Sequence, residues 1–379
     1  MDFNFTEEQT MLRDTVASYL ADNYDFDTRR EAVKAEGWRP AVWKAFAEEL
    51  GILGAPFSEE LGGLGGGAVE NMIVMEELGK ALVVEPYLST VVVAGGFLKH
   101  SSHANAAELI GQIIAGEDVY AYAGYEPQGR YNWADLKTAA KKDGEGYVLN
   151  GAKAVVVGAP FANKLIVTAR TAGGQRDRAG VSVFIVPKDA AGVTTRDYPT
   201  VDGGRASEVV LENVRVGADA LIGGEGQAAD LIEKVLDEAA AASCAESVGV
   251  LRKLQEGTVE YTKQRKQFGQ PIGAFQALQH RMVDMFIQVE QSISMTYMAN
   301  IKLADPDESA KSVSAAKVQI GKALKFVGQN AVQLHGGMGV TDEMAIAHYF
   351  KRATVLETAF GNTDHHLVRY ETLSFGLAA

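Results

Sequence analysis

Apolar residues in the opening stretch "MDFNFTEEQTMLRDTVASYL" recur at helical spacing, with Met11, Val16 and Leu20 assigned to one face. Thr6, followed closely by Glu8 and Gln9, supplies an N-cap. "PAVWKAFAEELGILG" keeps the same period and stops at glycine, as a helix C-terminus does. "ENMIVMEELGKAL" and "NAAELIGQIIAGE" repeat the pattern. The glycine-rich "SEELGGLGGGAVE" reads as a flexible connection, because no Gly-Lys-Ser/Thr follows to make a phosphate loop. Near residue 119 the period changes. "GYVLNGAKAVVVGAP", "NKLIVTART", "VSVFIVP" and "ASEVVLENVRVG" are short β-branched runs bounded by Gly, Asn, Asp and Pro, so they read as strands. The Asn-Gly pair of "LNGAK" is a hairpin signal. From residue 226 the helical period returns in four long segments, the layout of an antiparallel four-helix bundle. The fold class is α+β: a helical N-terminal domain over 1–118, a β domain over 119–225 and a helical bundle over 226–379.

Composition narrows the function. The formal net charge is -13, which offers no electrostatic footprint to nucleic acid or to an anionic membrane surface. The single cysteine, Cys244, cannot form an internal disulfide and sits in the small-residue run "AAAASCAES", where a small packed side chain is expected. The N-terminus lacks a basic segment followed by an apolar one, and no stretch approaches the length of a membrane span, so a cytoplasmic protein is expected.

Two segments carry a family resemblance. "YTKQRKQFGQPIGAFQALQH" (261–280) and "AVQLHGGMGVTDE" (331–343) resemble the two signatures of the acyl-CoA dehydrogenases, and "YVLNGAKAVV" extends the likeness into the middle of the chain. More narrowly, "EPQGRYNWADL", "AKVQIGKA" and "HYFKR" are similar to the small subunit of pimeloyl-CoA dehydrogenase and its relatives. The resemblance implies a helical N-terminal domain, a middle β-barrel and a C-terminal four-helix bundle. It implies α,β-desaturation of an acyl-CoA thioester in fatty acid metabolism, with FAD as cofactor. It also implies a tetramer, homo-oligomeric or built with a homologous subunit, and an electron-transfer flavoprotein as partner. The chemistry needs a base at the α-carbon and donors on the thioester oxygen.

The family's flavin lies between subunits. The segment offered to a neighbour maps here onto Arg265, Gln267 and Phe268, together with Gln333, Gly336, Gly337 and Gly339, while Asn362 and Asp364 fall in the flavin-facing turn. An arginine suits a pyrophosphate, and glycines let backbone N–H groups come close. The half a chain uses for its own flavin departs from the pattern. Tyr125-Glu126-Pro127 is followed by Arg130-Tyr131-Asn132 where Gly-Ser-Asp belongs, and Val155-Val156-Val157 replaces Trp-x-Thr. The base is also absent. Phe360 stands where most members place a glutamate, and Ala239 and Ala240 stand where a second group places its base and a substrate-binding arginine. Asp364 is a weak replacement candidate. Glu246 lies on the face of Ala239 but roughly 10 Å along the helix, and Glu238 points about 100° away. His365 and His366 are the remaining titratable groups nearby. The expectation is a base-lacking subunit of a heteromeric dehydrogenase, with a homotetramer whose base has moved, or a flavin monooxygenase-like member, as alternatives.

Overall fold

The structure is a computed structural model and describes residues 4–376. The chain forms two compact units that cut across sequence order. One takes the residues up to 32, residues 68–83 and those from 240 onward; the other takes 33–67 and 84–239.

The first unit is helical. Helix α1 (Glu7–Asn23) starts at Thr6, whose hydroxyl accepts from Gln9 N–H while the Gln9 side chain accepts from Thr6 N–H, a capping box. Val16 and Leu20 are buried, but Met11 is 65% exposed, so its assignment to the apolar face is corrected. Five residues separate Met11 from Val16, which turns it about 140° away on an ideal helix. After α2 (Phe26–Lys34), helix α4 (Ala68–Ala81) packs on α1. It also meets α7 (Ala229–Gln264) closely, since a Cβ on Gly79 would lie 2.2 Å from the Glu246 carbonyl and one on Gly249 2.1 Å from that of Glu76. Helices α8 (Gln276–Lys302), α9 (Ser309–His335), α10 (Ala345–Thr358) and α11 (Thr363–Phe375) complete the unit, and α9 packs against the other three. Leu251, Met285, Ile320, Leu324, Val327 and Leu356 form its core. Each such side chain contributes about 1.5–3 kcal/mol when fully buried.

The second unit holds α3 (Pro40–Glu48), α5 (Gly95–Lys99), α6 (Ala106–Ile114) and the sheet. Its strands are β1 (Tyr120–Ala123), β2 (Ala139–Asp143), β3 (Gly146–Val157), β4 (Lys164–Arg170), β5 (Val181–Pro187), β6 (Val193–Pro199), β7 (Arg205–Val216) and β8 (Leu221–Ile222). The order is β6-β7-β3-β2-β4-β5-β8, with β1 parallel to β4. The hairpin expected at Asn150-Gly151 is corrected, since both residues lie inside β3. The turn is at Gly144-Glu145, closed by the pair Asp143 and Gly146. Asn150 instead marks an irregularity against β7, where its side chain accepts from Asn213 N–H, and a Cβ on Gly151 would collide with Thr138. Among the described residues no helix is long and apolar enough to cross a membrane.

Candidate functional site

The bundle presents one group of residues outward. After α7, β9 (Lys266–Gln267) and β10 (Gln270–Pro271) form a hairpin with Phe268-Gly269 at its tip. Both tip residues have positive φ, 54° and 79°, as a two-residue hairpin turn requires. Phe268 is 92% exposed, touched edge-on by Phe275. Arg265 is exposed and has no acidic partner among the described residues, and the Gln267 amide donates only to the Lys266 carbonyl. At the end of α9, Gln333, Gly336 and Gly337 are exposed, and open space surrounds both glycines. The segment is anchored from beneath by Tyr261, whose ring stacks on His335 at 4.2 Å.

The break between α10 and α11 is held from inside the same unit. Phe360 is half-buried against the bundle core and has φ 54°, a strained value for a residue with a side chain. Lys317 on α9 donates to the carbonyls of Leu356 (3.1 Å) and Ala359 (2.7 Å). His366 Nε2 donates to the Phe360 carbonyl at 3.0 Å. Its imidazole is pushed down to about 3 by burial and by the nearby Lys317 charge, so it is neutral across the physiological range. Asn362 caps α11, its side-chain oxygen accepting from His365 N–H at 2.9 Å. Glu357 accepts from Thr363 and pairs with Lys325. Asp364 is exposed in the first turn of α11.

Two further acids weighed as replacements are already engaged. Glu246 is bound by Arg352 through both carboxylate oxygens, at 2.6 and 2.8 Å. Glu238, in the sheet unit, sits 2.5 Å from His100 Nε2 and 2.9 Å from Lys99 Nζ. Burial would raise its carboxyl, but His100 and Lys99 outweigh burial and hold it at about 2. A carboxylate so stabilised is a poor base. Ala239 and Ala240 are fully buried and bring no polar atom.

The sheet unit carries the Glu126-Pro127 loop. Glu126 accepts from Lys153 Nζ (2.9 Å), Lys137 N–H (2.8 Å) and Thr138 N–H (2.9 Å), and both charged side chains are buried. No local pattern marks this pair, whose members stand 27 positions apart. The loop closes on itself beyond it. The Asn132 side chain accepts from Ala134 N–H, and Gln128 donates to Glu126 and to Asp135. Arg130 is exposed at φ 46°. In β3 a bulge at Val155 has φ 52°, and Val155 and Val157 stand 57% and 56% exposed.

With this geometry in place, three family models match the chain in order: the acyl-CoA dehydrogenase N-terminal domain over 6–117, the middle domain over 121–214 and the C-terminal domain over 226–369. The chain belongs to the acyl-CoA dehydrogenase family. The acyl-CoA dehydrogenase FadE12 of Mycobacterium tuberculosis is 30% identical over 364 residues, 93% of this chain and 92% of that one. Among solved structures, the ChsE4–ChsE5 complex from Mycobacterium tuberculosis superposes with a TM-score of 0.90 at 28% identity, covering 99% of each chain. Butyryl-CoA dehydrogenase from Megasphaera elsdenii gives 0.91 at 25% identity, covering 98% of this chain and 99% of that one.

The family implies FAD, and the residues present fit it unequally. Arg265, the exposed Phe268 ring and the open glycines at 336 and 337 are free to meet a dinucleotide approaching from outside the chain. The sheet half does not fit the same group. Its Asn132 and Gln128 side chains are engaged internally, and β3 offers two valine methyl surfaces where the family pattern has an indole and a hydroxyl. The bulge that aims residue 155 outward remains, while the chemistry it would present is gone.

Proposed function

We propose that this acyl-CoA dehydrogenase family member is the base-lacking subunit of a heteromeric enzyme that desaturates an acyl-CoA thioester. The observation that carries the reading is the direction of the losses. In the loop and strand that would hold the chain's own flavin, Asn132 is engaged internally and β3 presents valines, with Arg130 as the exposed charge, whereas Arg265, Gln267, Phe268, Gln333, Gly336 and Gly337 on the half offered to a neighbour stay exposed. A homologous partner then supplies the base and the intact β-domain loop. When bound at that junction, FAD supplies the hydride acceptor. Arg265 would grip its pyrophosphate through a charge-assisted fork, and the Gly336-Gly337 backbone would approach it closely. The solved ChsE4–ChsE5 complex supports a two-chain arrangement for a protein of this shape. An electron-transfer flavoprotein is the proposed electron acceptor, and the narrower likeness to the pimeloyl-CoA type suggests a dicarboxylyl substrate.

The test is FAD content per chain, measured with native mass for the protein made alone. A colourless oligomer that turns yellow only with a homologous partner supports the reading. A yellow homotetramer that bleaches on adding acyl-CoA without oxygen overturns it. Within the complex, Arg265→Ala should lower bound FAD about tenfold, the loss of one charge-assisted contact. FAD content unchanged by Arg265→Ala would remove this residue from the cofactor site.

A further inference from the structure

Where α1, α4, α7 and α8 meet, the helical unit carries a cleft of about 420 Å³, a size that suits a small ligand. None of the residues assigned to the flavin junction lines it. One wall is apolar, made by Ile73 and by the rings of Phe5 and Tyr297, which lie 5.7 Å apart and tilted by 37°. The other wall is charged, with Glu76 and Glu77 on α4 facing Arg252 on α7.

The two acids are both buried, at 8% and 5% exposure, but they are compensated unequally. Glu76 accepts from Arg252 Nε at 2.9 Å and pairs with Lys80 Nζ at 3.1 Å. Glu77 has only that same ammonium, 2.6 Å from its Oε1. One lysine therefore serves two carboxylates. Burial pushes the Glu77 carboxyl up, and Lys80 offsets only part of that rise. Its Oε2 has no hydrogen-bond partner among the described residues. A buried carboxylate with one oxygen unmet is costly, and a second cation would remove the cost. Across the cleft the deficit has the opposite sign. Arg252 uses Nε alone, so both terminal nitrogens of its guanidinium lack a partner among the described residues. The Tyr297 hydroxyl lacks one as well. At the rim, Lys253 pairs with Glu256 and Arg13 with Asp14, so these charges are already matched.

We propose that this cleft binds a small zwitterion, a free α-amino acid with an aromatic or branched apolar side chain. Its ammonium would meet Glu77 Oε2, its carboxylate the terminal nitrogens of Arg252, and its side chain the Phe5 and Tyr297 rings. A simple amine would leave Arg252 unmet, and a simple carboxylate would face Glu77. The zwitterion answers both and adds no net charge to a cleft whose own charges are nearly balanced.

The probe is L-phenylalanine, titrated into the chain as expressed and followed by calorimetry. Phenethylamine and 3-phenylpropanoate serve as analogues that each keep one charge. L-Phenylalanine should bind with Kd of about 1 mM or tighter, and each analogue at least about tenfold more weakly. Glu77→Gln keeps the side-chain shape and removes the charge. It should weaken L-phenylalanine about tenfold and leave 3-phenylpropanoate unchanged or tighter, a split that general damage to the cleft would not produce. No heat from L-phenylalanine up to about 20 mM overturns the site. Phenethylamine bound as tightly as L-phenylalanine overturns the part given to Arg252, and a folded Glu77→Gln chain that binds L-phenylalanine undiminished overturns the part given to Glu77. Where Glu77→Gln does not fold, the ranking of the three ligands on the unaltered chain decides, since 3-phenylpropanoate bound as tightly as L-phenylalanine leaves no role for the buried acid.

Discussion

Phe360→Glu is expected to give this chain α-proton exchange on an acyl-CoA while oxidation stays absent. The backbone at 360 is already clamped through Lys317 and His366, so a new carboxylate would project from a fixed turn. The N–H groups of Phe360 and Gly361, which have no hydrogen-bond partner among the described residues, would stabilise the enolate that forms when the α C–H bond breaks and its proton passes to the carboxylate. Solvent deuterium then returns to the carbon. A positioned general base contributes about 10²–10⁴-fold, so deuterium uptake by phenylacetyl-CoA should rise at least about a hundredfold over the unaltered chain. Phe360 is only half-buried, so the loss of its packing should cost about 2 kcal/mol, less than for a fully buried ring. In the absence of flavin against this chain, a saturated thioester that carries β-hydrogens, such as butyryl-CoA, should give no enoyl product. A folded Phe360→Glu chain that binds the thioester and exchanges nothing would mean that residue 360 does not face the α-carbon. Glu246 is held by Arg352 and Glu238 by His100 and Lys99, so neither can substitute in this experiment.

The elements were legible where one period persisted over many residues. The capping box at Thr6, the run from α7 through α11 and the switch to strands near 119 all follow from local pattern. Asn150-Gly151 misled because an Asn-Gly pair signals a turn only where the chain must reverse. Here β3 runs on through the pair, and the glycine serves close approach to Thr138. Of the site residues read from motif spacing, Arg265, Gln267, Phe268, Gln333, Gly336, Gly337 and Asp364 are exposed, whereas Gly339 is buried and Asn362 is half-buried as the cap of α11. The contacts that hold the site were not legible. Lys317 reads as one lysine in "AAKVQIGKAL", and only the three-dimensional fold brings it 2.7 Å from a carbonyl 42 positions away. The one available signal was a charged residue on an otherwise apolar stripe. His366, singled out as a titratable candidate, proves to be a neutral clamp on Phe360.

Glu126→Ala should be the most destabilising single change in the sheet unit, by about 3–5 kcal/mol. The substitution strands the Lys153 ammonium in the interior and leaves Lys137 N–H and Thr138 N–H without their acceptor. Lys153→Met made together with Glu126→Leu should recover most of that loss, because an apolar pair of similar volume avoids both desolvation costs. Urea unfolding of Glu126→Leu, Lys153→Met and the double provides the cycle. A double variant no more stable than Glu126→Ala would show that the N–H contacts, not the charges, hold the loop. The same carboxylate sets an acid limit. Burial raises it, but Lys153 and the hydrogen bonds from Thr138, Gln128 and Lys137 bring it down to about 2 from the ordinary 4.5. Between those values the folded chain binds fewer protons than the unfolded one, so stability falls as pH drops. The contribution is complete above 4.5 and exhausted as pH falls through about 2. Glu126→Gln should flatten this part of the pH–stability profile, while keeping the side-chain shape that the Tyr125-to-Thr138 loop is built around. A profile unchanged by Glu126→Gln would place the acid lability elsewhere, with Glu238 as the next group to substitute, because it too is held at about 2.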